Sequence, residues 1–375
     1  MKKILVLIKT KLSEDTRVLN QISLLAENFE ESCITVVNFP NEGDITDLNL
    51  PSNVSLITIK SPFRGIKVLR PINAMIFWLT CLLIAIKVRP NIIHCHDNAT
   101  APLAVIMSFL IKRSYIVYDD HELPNSYPKK SIGIKIEELA LKKADVVLFA
   151  NSMRRSFLKH EMDIHTKYSF IFDNLCPYHS ITPFSEQSVL SFENLANVLA
   201  SARQKYKGVF LHQGVVNEAR RSDLLYTAIG KLNDYFFVIL SPGSKEEVRL
   251  NVHENVLVLS PIPSMYLGNV WSLVDYSLIF YDSMTLNNNL CAPNRFYLSF
   301  KYSKPFIFND DNKSLSFLSE FYGGGVAVDG FEDIETVKSK LELSTFKCDY
   351  NDSVETQKEN FISIYGSLFK DKTRL

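Results

Sequence analysis

Short apolar runs, four to six residues long and rich in Val, Ile and Leu, recur along this chain with longer helical stretches between them. They lie at 3–8, 33–38, 54–59, 91–94, 114–118 and 146–150, and again at 208–212, 236–241, 256–259, 276–281, 305–309 and 325–328. Continuous apolar character without strict alternation marks strands covered on both faces, which is the condition of a parallel sheet. Helices are expected at 15–28, 74–88, 99–112 and 132–143, then at 222–232, 263–273, 294–300, 314–321 and 334–343, with a terminal helix at 353–369. Strand then helix, repeated in two series, predicts an α/β protein of two doubly wound, Rossmann-like domains, 1–177 and 178–375. The interval 178–207 mixes Pro, Ser, Gln and Asn and reads as a connection carrying an irregular helix, with 353–369 free to pack back on the first domain.

Composition narrows the function classes. With 46% hydrophobic and 22% charged residues, and only 13 Gly and 15 Pro, the chain is neither disordered nor collagen-like. The balance of 41 Lys and Arg against 41 Asp and Glu argues against a nucleic-acid partner, which requires a cationic surplus. Six cysteines, at 33, 81, 95, 176, 291 and 348, form no C-x-x-C pair, so neither a zinc ribbon nor a disulfide framework is indicated and a reducing cytoplasm is expected. The apolar start imitates a signal peptide, but Lys9 and Lys11 interrupt it and it reads as a first buried strand.

Charge is nonetheless uneven. No acid occurs between Asp47 and Asp97, while Lys60, Arg64, Lys67, Arg70, Lys87 and Arg89 fall inside that window. The stretch 74–88 is apolar on nearly every face and, at about 15 residues, too short to span a bilayer. One expectation is that residues 60–89 dock on the inner face of a membrane, Arg64, Lys67 and Arg70 meeting head groups with Phe77 and Trp78 reaching below them. The competing expectation is a core helix buried against the sheet.

Three polar clusters follow strand ends, where doubly wound folds hold ligands. After 208–212 comes a turn at Gly214 and then Arg220-Arg221 at a helix start; paired guanidiniums there suit a diphosphate, although a solvated helix start capped by Ser222 has the same pattern. His94-Cys95-His96-Asp97 and Tyr118-Asp119-Asp120-His121-Glu122 follow neighbouring strands and would line one cleft. Their ligand types leave metal open as a competing reading against an organic ligand. The third cluster is Asn287-Asn288-Asn289 followed by Pro293-Asn294-Arg295, a run of amide groups leading into a helix start; a polar turn with an N1 proline reads the same way.

These clusters, in this order, resemble those of bacterial glycosyltransferases of family 4, which have the two-domain GT-B architecture. Asp15-Thr16-Arg17-Val18 resembles the family's D-x-R-V helix start and 91–97 its D-x-x-H-x-H-D. Residues 117–123 resemble V-Y-D-S-H-E-L, 144–151 A-D-x-V-x-x-x-N, and 173–177 the N-x-P approach to the second domain. Residues 214–220 resemble G-x-x-N-x-G-R and Pro293-Asn294-Arg295 the start of P-N-K-x-F-E-Y. The chain departs from the family at its E-x7-E pair, which falls on Leu290 and Leu298; neither accepts a hydrogen bond, and Asn288 or Asn289 is the expected substitute.

The resemblance implies transfer of a sugar, with retention, from a UDP- or GDP-linked donor to a lipid-linked or saccharide acceptor in capsule, O-antigen or exopolysaccharide synthesis, without cofactor or obligatory metal. It places Gly214, Arg220, Arg221, Asn288, Asn289, Asn294 and Arg295 on the donor. His121, with His96 and Asp97, falls at the reacting sugar, and Asp15, Arg17, Asp119 and Glu122 on the acceptor side. Two other classes compete: a degenerate binding protein, favoured by the missing glutamates, and a sugar-nucleotide epimerase or hydrolase on the same fold.

Overall fold

In the computed structural model, which describes residues 2–12, 15–39, 50–60, 62–63, 66–123, 131–175, 186–243, 250, 253–262 and 266–371, the apolar runs form two sheets whose ladders are all parallel. The chain divides into two compact units, residues 1–176 with 354–375, and residues 177–353.

The first unit contains β1 (Lys3–Leu7), α1 (Thr16–Asn28), β2 (Cys33–Asn38), β3 (Val54–Thr58), α2 (Arg70–Val88), β4 (Ile92–His96), α3 (Ala101–Leu110), β5 (Tyr115–Asp120), α4 (Ile132–Lys143), β6 (Val146–Phe149), α5 (Ser152–His160) and β7 (Ser169–Ile171). Its strand order is β3-β2-β1-β4-β5-β6-β7. Order reverses between β1 and β4, and the segments leaving the ends of these two strands therefore diverge around a crevice, the position at which such sheets bind ligands. The sheet is sealed by Ile4, Val6, Ile34, Val36, Ile92, Val117 and Leu148, all buried beneath Val18, Ile22 and Leu25 of α1. Two elements were not expected from sequence. The edge strand β7 is three residues long and only half-buried, and α5 is announced by one cap, Asn151, whose side chain accepts from the Arg154 N–H at 2.8 Å.

Helix α2 begins four residues earlier than expected, because Pro71 occupies the first turn, where a missing N–H costs nothing. At 19 residues, about 28 Å, it is long and apolar enough to cross a membrane by length and composition. Ala74, Phe77, Cys81 and Ala85 recur at helical spacing and are buried against the sheet. Phe77, expected to reach lipid, is on that stripe and packs on Phe39, ring centroids 5.4 Å apart. Trp78 is half-buried and its indole N–H donates to the Ala99 carbonyl at 3.1 Å, joining α2 to the start of α3. Arg64 lies outside the described residues; Lys67 belongs to a short 3-10 turn leading into α2, and Arg70 is exposed.

The second unit contains α6 (Glu186–Lys205), β8 (Val209–Gln213), α7 (Ser222–Lys231), β9 (Phe236–Leu240), β10 (Val256–Leu259), α8 (Leu267–Leu273), β11 (Tyr276–Ile279), α9 (Leu286–Asn289), α10 (Asn294–Lys301), β12 (Phe306–Asn309), α11 (Lys313–Tyr322), β13 (Gly325–Val328) and α12 (Ile334–Leu343). Strand order is β10-β9-β8-β11-β12-β13, with the reversal between β8 and β11. Where an irregular helix was expected before β8, α6 is continuous for 20 residues, and its Leu195, Leu199 and Ala202 pack on Val209 and Leu211.

A last helix, α13 (Tyr350–Lys370), completes the first unit's core from the far end of the chain. Phe361 and Tyr365 are fully buried, Phe361 lying 5.0 Å from Phe172 between ring centroids, and Gln357 donates to the Asp173 carbonyl at 3.1 Å. Phe361→Ala is expected to cost about 3–5 kcal/mol of the first unit's stability, read as a lowered urea midpoint of the transition that reports on this unit. A midpoint unchanged from wild type would show that α13 is not part of this core.

Candidate functional site

At the first reversal point, α1 follows β1 and starts at Asp15, whose carboxylate caps the helix by accepting from the Val18 N–H at 3.1 Å. In the first turn, Arg17 points inward and forks onto Asp119 at the end of β5, Nη2 to Oδ1 at 2.7 Å and Nε to Oδ2 at 3.0 Å. It also donates to Asn174 Oδ1 at 2.9 Å and to the Phe172 carbonyl, while Gln21 Nε2 donates to Asp119 at 2.6 Å. Both members of the pair are buried. Burial works to lower the Arg17 pKa, but Asp119 outweighs it and the group is raised; burial likewise works to raise Asp119, and Arg17 holds its carboxyl well below the usual range. Arg17 and Asp119, expected on the acceptor side, are therefore paired with each other and hold the surrounding segments together. Of the other two, Asp15 is a half-buried cap and Glu122 is exposed just past β5.

His94 and His96 stand two residues apart on β4, hence on one face of the sheet, and their rings stack at 4.1 Å. The Tyr365 hydroxyl is 2.7 Å from His94 Nδ1, and His96 Nδ1 is 3.3 Å from Asp119 Oδ2. Burial, with His96 adding to it, keeps His94 neutral. Next to them His121 stands edge-on to His96 at 5.9 Å, its Nε2 3.2 Å from Asp97 Oδ1, close but not aligned for a hydrogen bond. Burial pushes His121 down to about 4 and, with Glu122 and Asp15 nearby, lifts the Asp97 carboxyl well above its usual range. Burial thus disfavours the charged form of both groups, and their facing atoms keep spare hydrogen-bonding capacity, a pattern that suits sugar hydroxyls. Asp97 holds a left-handed backbone, φ 64°, a conformation that an aspartate tolerates better than most residues and that turns the chain back over the end of β4.

Among the described residues one cluster, His94, His96 and Asp119, has metal-ligand spacing, with candidate atoms within 4.8 Å of one another. Asp119 is already neutralised by Arg17 and bonded to Gln21, and His94 Nδ1 is paired with Tyr365, so the donor set matches a metal poorly.

Behind this face is a second acidic pair. Asp120, which stands where V-Y-D-S-H-E-L has Ser, is buried, and neither carboxylate oxygen has a hydrogen-bond partner among the described residues. Burial, opposed by the Arg154 charge, pushes it up to about 7. Glu137 of α4, 3.4 Å from the Tyr118 hydroxyl, is pushed up to about 9 by burial and by Asp120.

The second reversal point carries the opposite charge. Gly214 follows β8 at φ 130°, a backbone that disfavours any side chain, and the chain then enters a short 3-10 turn, Glu218–Arg220, capped by Asn217. The Arg220 guanidinium carbon lies 3.9 Å from the ring centre of Tyr281, at the end of β11, and that of Arg295, in the first turn of α10, lies 4.7 Å from the same ring. Nη1 of each is buried without a hydrogen-bond partner among the described residues. Burial and the neighbouring Arg295 lower the Arg220 pKa despite Tyr281, and burial with both arginines keeps His212 neutral. Asn294 opens α10, whose N-terminus no described side chain caps.

Arg221 is not the partner of Arg220: its left-handed backbone, φ 48°, turns the side chain onto Asp223 at 2.9 Å, with Asp311 at 3.6 Å. Asn288 and Asn289, the expected substitutes for the missing glutamates, are engaged by their own loop: Asn288 Nδ2 donates to Asp282, and Asn289 Oδ1 accepts from the Lys313 N–H at 2.8 Å. Leu290 and Leu298 are both buried, Leu298 packing with Leu211 and Trp271. Tyr281 and His212 were missed, although each stands at the C-terminal end of an apolar run beside the reversal, the signal that would have found them.

No protein-family model matches the chain, and no curated protein matches its sequence. Solved structures do match over nearly the whole length. Sucrose-phosphate synthase from Thermosynechococcus elongatus has a TM-score of 0.70 at 12% identity, covering 99% of this chain and 98% of its own. Anabaena HepE in complex with UDP has 0.62 at 12%, covering 98% and 96%. The E. coli trehalose-6-phosphate structure bound with UDP-2-fluoro glucose has 0.60 at 10%, covering 98% and 96%. These neighbours are GT-B glycosyltransferases, and the chain shares their fold.

The buried acid pair sets a pH dependence. Glu137 binds its proton more tightly in the folded chain, so this group lets stability fall as pH rises from about 4.5, where glutamate ionises when unfolded, towards about 9. Glu137→Gln is expected to narrow the drop in melting temperature between about pH 5.5 and about pH 8 by a few degrees. An unchanged drop would show that Glu137 is ionised in the folded protein.

Proposed function

We propose that this chain is a retaining glycosyltransferase similar to those of family 4, transferring a sugar from a UDP- or GDP-linked donor to a lipid-linked or saccharide acceptor in bacterial cell-surface polysaccharide synthesis. The observation that carries the reading is the pair Arg220, half-buried, and Arg295, buried, around Tyr281, each with an inner Nη1 that has no hydrogen-bond partner among the described residues. Clustered charge of one sign, partly withdrawn from water, calls for a counter-charge, and a diphosphate beside the Gly214 turn supplies one. The UDP-bound structures of two neighbours support the same ligand class.

In the proposed reaction the bond from the anomeric carbon to the diphosphate oxygen breaks, its electron pair leaving with the nucleoside diphosphate, and the acceptor hydroxyl bonds to that carbon from the same face while its proton passes to the departing phosphate. Arg220 and Arg295 stabilise the charge gained by the leaving group. His121, neutral and supported by Asp97 and His96, hydrogen-bonds the donor sugar. No step requires a metal, and the reaction is placed in the cytoplasm. A second reading, a binding protein without turnover, is favoured by the buried Leu290 and Leu298, which offer nothing to a ribose or sugar hydroxyl.

Arg220→Ala and Arg295→Ala are each expected to weaken nucleoside diphosphate binding by about 2 kcal/mol or more, measured by calorimetry, whereas Arg221→Ala, which removes only a surface pair, costs less than about 1 kcal/mol. Affinity that falls only in the Arg221 variant would move the phosphate away from Tyr281. His121→Ala is expected to reduce turnover about a hundredfold or more with little change in nucleotide affinity, and a chelator to leave turnover intact. Tight nucleotide binding without nucleotide release, whatever acceptor is supplied, would establish the second reading.

A further inference from the structure

Helix α2 has two apolar faces, and only one is used. Opposite the buried stripe of Ala74, Phe77, Cys81 and Ala85, the side chains of Met75, Leu79 and Leu83 are 53%, 55% and 66% exposed. Val68, just before the helix, is 85% exposed, and Phe109 and Leu110 of α3 are 52% and 65% exposed. Trp78 ties the two helices together through the Ala99 carbonyl, so these residues belong to adjacent elements of one unit. Single exposed leucines are ordinary, but an apolar surface continued over two helices is a mark of something that covers it.

Charge indicates what covers it. Between Asp47 and Asp119 the sequence has eight Lys and Arg residues and one acid, Asp97, which is turned to His121. The cations flank the apolar stretches: Arg70 begins α2, Lys87 and Arg89 end it, and Lys112 and Arg113 follow α3. Apolar centres bounded by long cationic side chains match the layering of an anionic bilayer surface, acyl chains below and phosphates above. The amine of Lys143 lies 5.1 Å over the Phe109 ring, adding a cation from α4 at the same level.

We propose that the exposed faces of α2 and α3 insert together into the surface of an anionic phospholipid membrane. The helices lie in the plane of that surface. Although α2 is long enough to span, spanning would strip Phe77 and Cys81 from the sheet they are buried against. The lipid-contacting residues are Met75, Leu79, Leu83, Phe109 and Leu110, in place of Phe77 and Trp78. For the acceptor this rests on the glycosyltransferase reading, since a lipid-linked glycan must be met at a membrane, but docking itself does not depend on turnover.

The test is flotation of the full chain with vesicles of phosphatidylglycerol and phosphatidylcholine, or of phosphatidylcholine alone, with calorimetric binding of UDP and GDP measured on the same proteins. Wild type is expected to float with the anionic vesicles and lose recovery as salt is raised. Leu79→Ser/Leu83→Ser is expected to reduce vesicle affinity about tenfold or more, and Arg70→Glu/Lys87→Glu to remove the preference for anionic lipid, while Leu343→Ser, an exposed leucine of the second unit, changes nothing. Matching thermal melts establish that the variants are folded. Equal recovery of wild type and Leu79→Ser/Leu83→Ser overturns the proposal, as does wild type that stays unbound. A wild-type dimer in light scattering that those serines abolish, without flotation, also overturns it and assigns the face to a second copy of the chain. Flotation with no binding of either nucleotide supports docking and counts against the transferase reading; nucleotide binding without flotation does the reverse.

Discussion

The fork from Arg17 to Asp119 is the contact on which the first unit's arrangement rests. A charge buried in a sheet protein is tolerated only with its partner in good geometry, and here both bonds of the fork are short. The pair draws together four separate stretches: the start of α1, the end of β5, the segment after β7 through Phe172 and Asn174, and β4 through His96. Removing either partner would leave an uncompensated ion in a closed space. The low pKa values of His94 and His121 come from burial, which outweighs the opposing pull of the Asp119 carboxylate.

The second unit resolves its charges differently. Arg220 and Arg295 share Tyr281 and form no ion pair with an acid among the described residues; Asp282, the carboxylate next in sequence to Tyr281, acts on Arg220 only at a distance and is occupied by the N–H groups of Met284 and Thr285. One unit thus closes its buried charge internally, and the other leaves cationic capacity unspent. Preorganised donors with no internal acceptor are what an anionic ligand needs, since nothing must be displaced when it binds.

Continuous Val, Ile and Leu runs made the central strands legible from composition alone, and the reversal points followed from the two series of strands. The half-exposed β7 carried too few residues to register. Pro71 obscured the start of α2, since a proline reads equally as a break and as a first-turn residue. Within the site, Gly214, Arg220 and Arg295 were legible as members of strand-end clusters. Their association was not, because Tyr281 brings together arginines from distant segments, and Arg221, chemically identical to its neighbour, is removed by a backbone angle that composition does not encode. Likewise Arg17 and Asp119 were recognisable as special residues, but only packing shows that each is the other's ligand.

Because α13 closes the first unit, that unit is discontinuous in the chain, and this has a consequence for how the protein is made. His94 and Tyr365 are separated by 271 positions, with the whole second unit between them. During synthesis the second unit emerges as an uninterrupted stretch and can fold as soon as it is complete. The first unit begins earlier yet finishes later, waiting with the site for Phe361 and Tyr365 uncovered until the last helix has been made. Contacts this distant in sequence are slow to form, so the histidine cluster is set in place last, and a chain interrupted before α13 would carry its motifs without the packing that orders them.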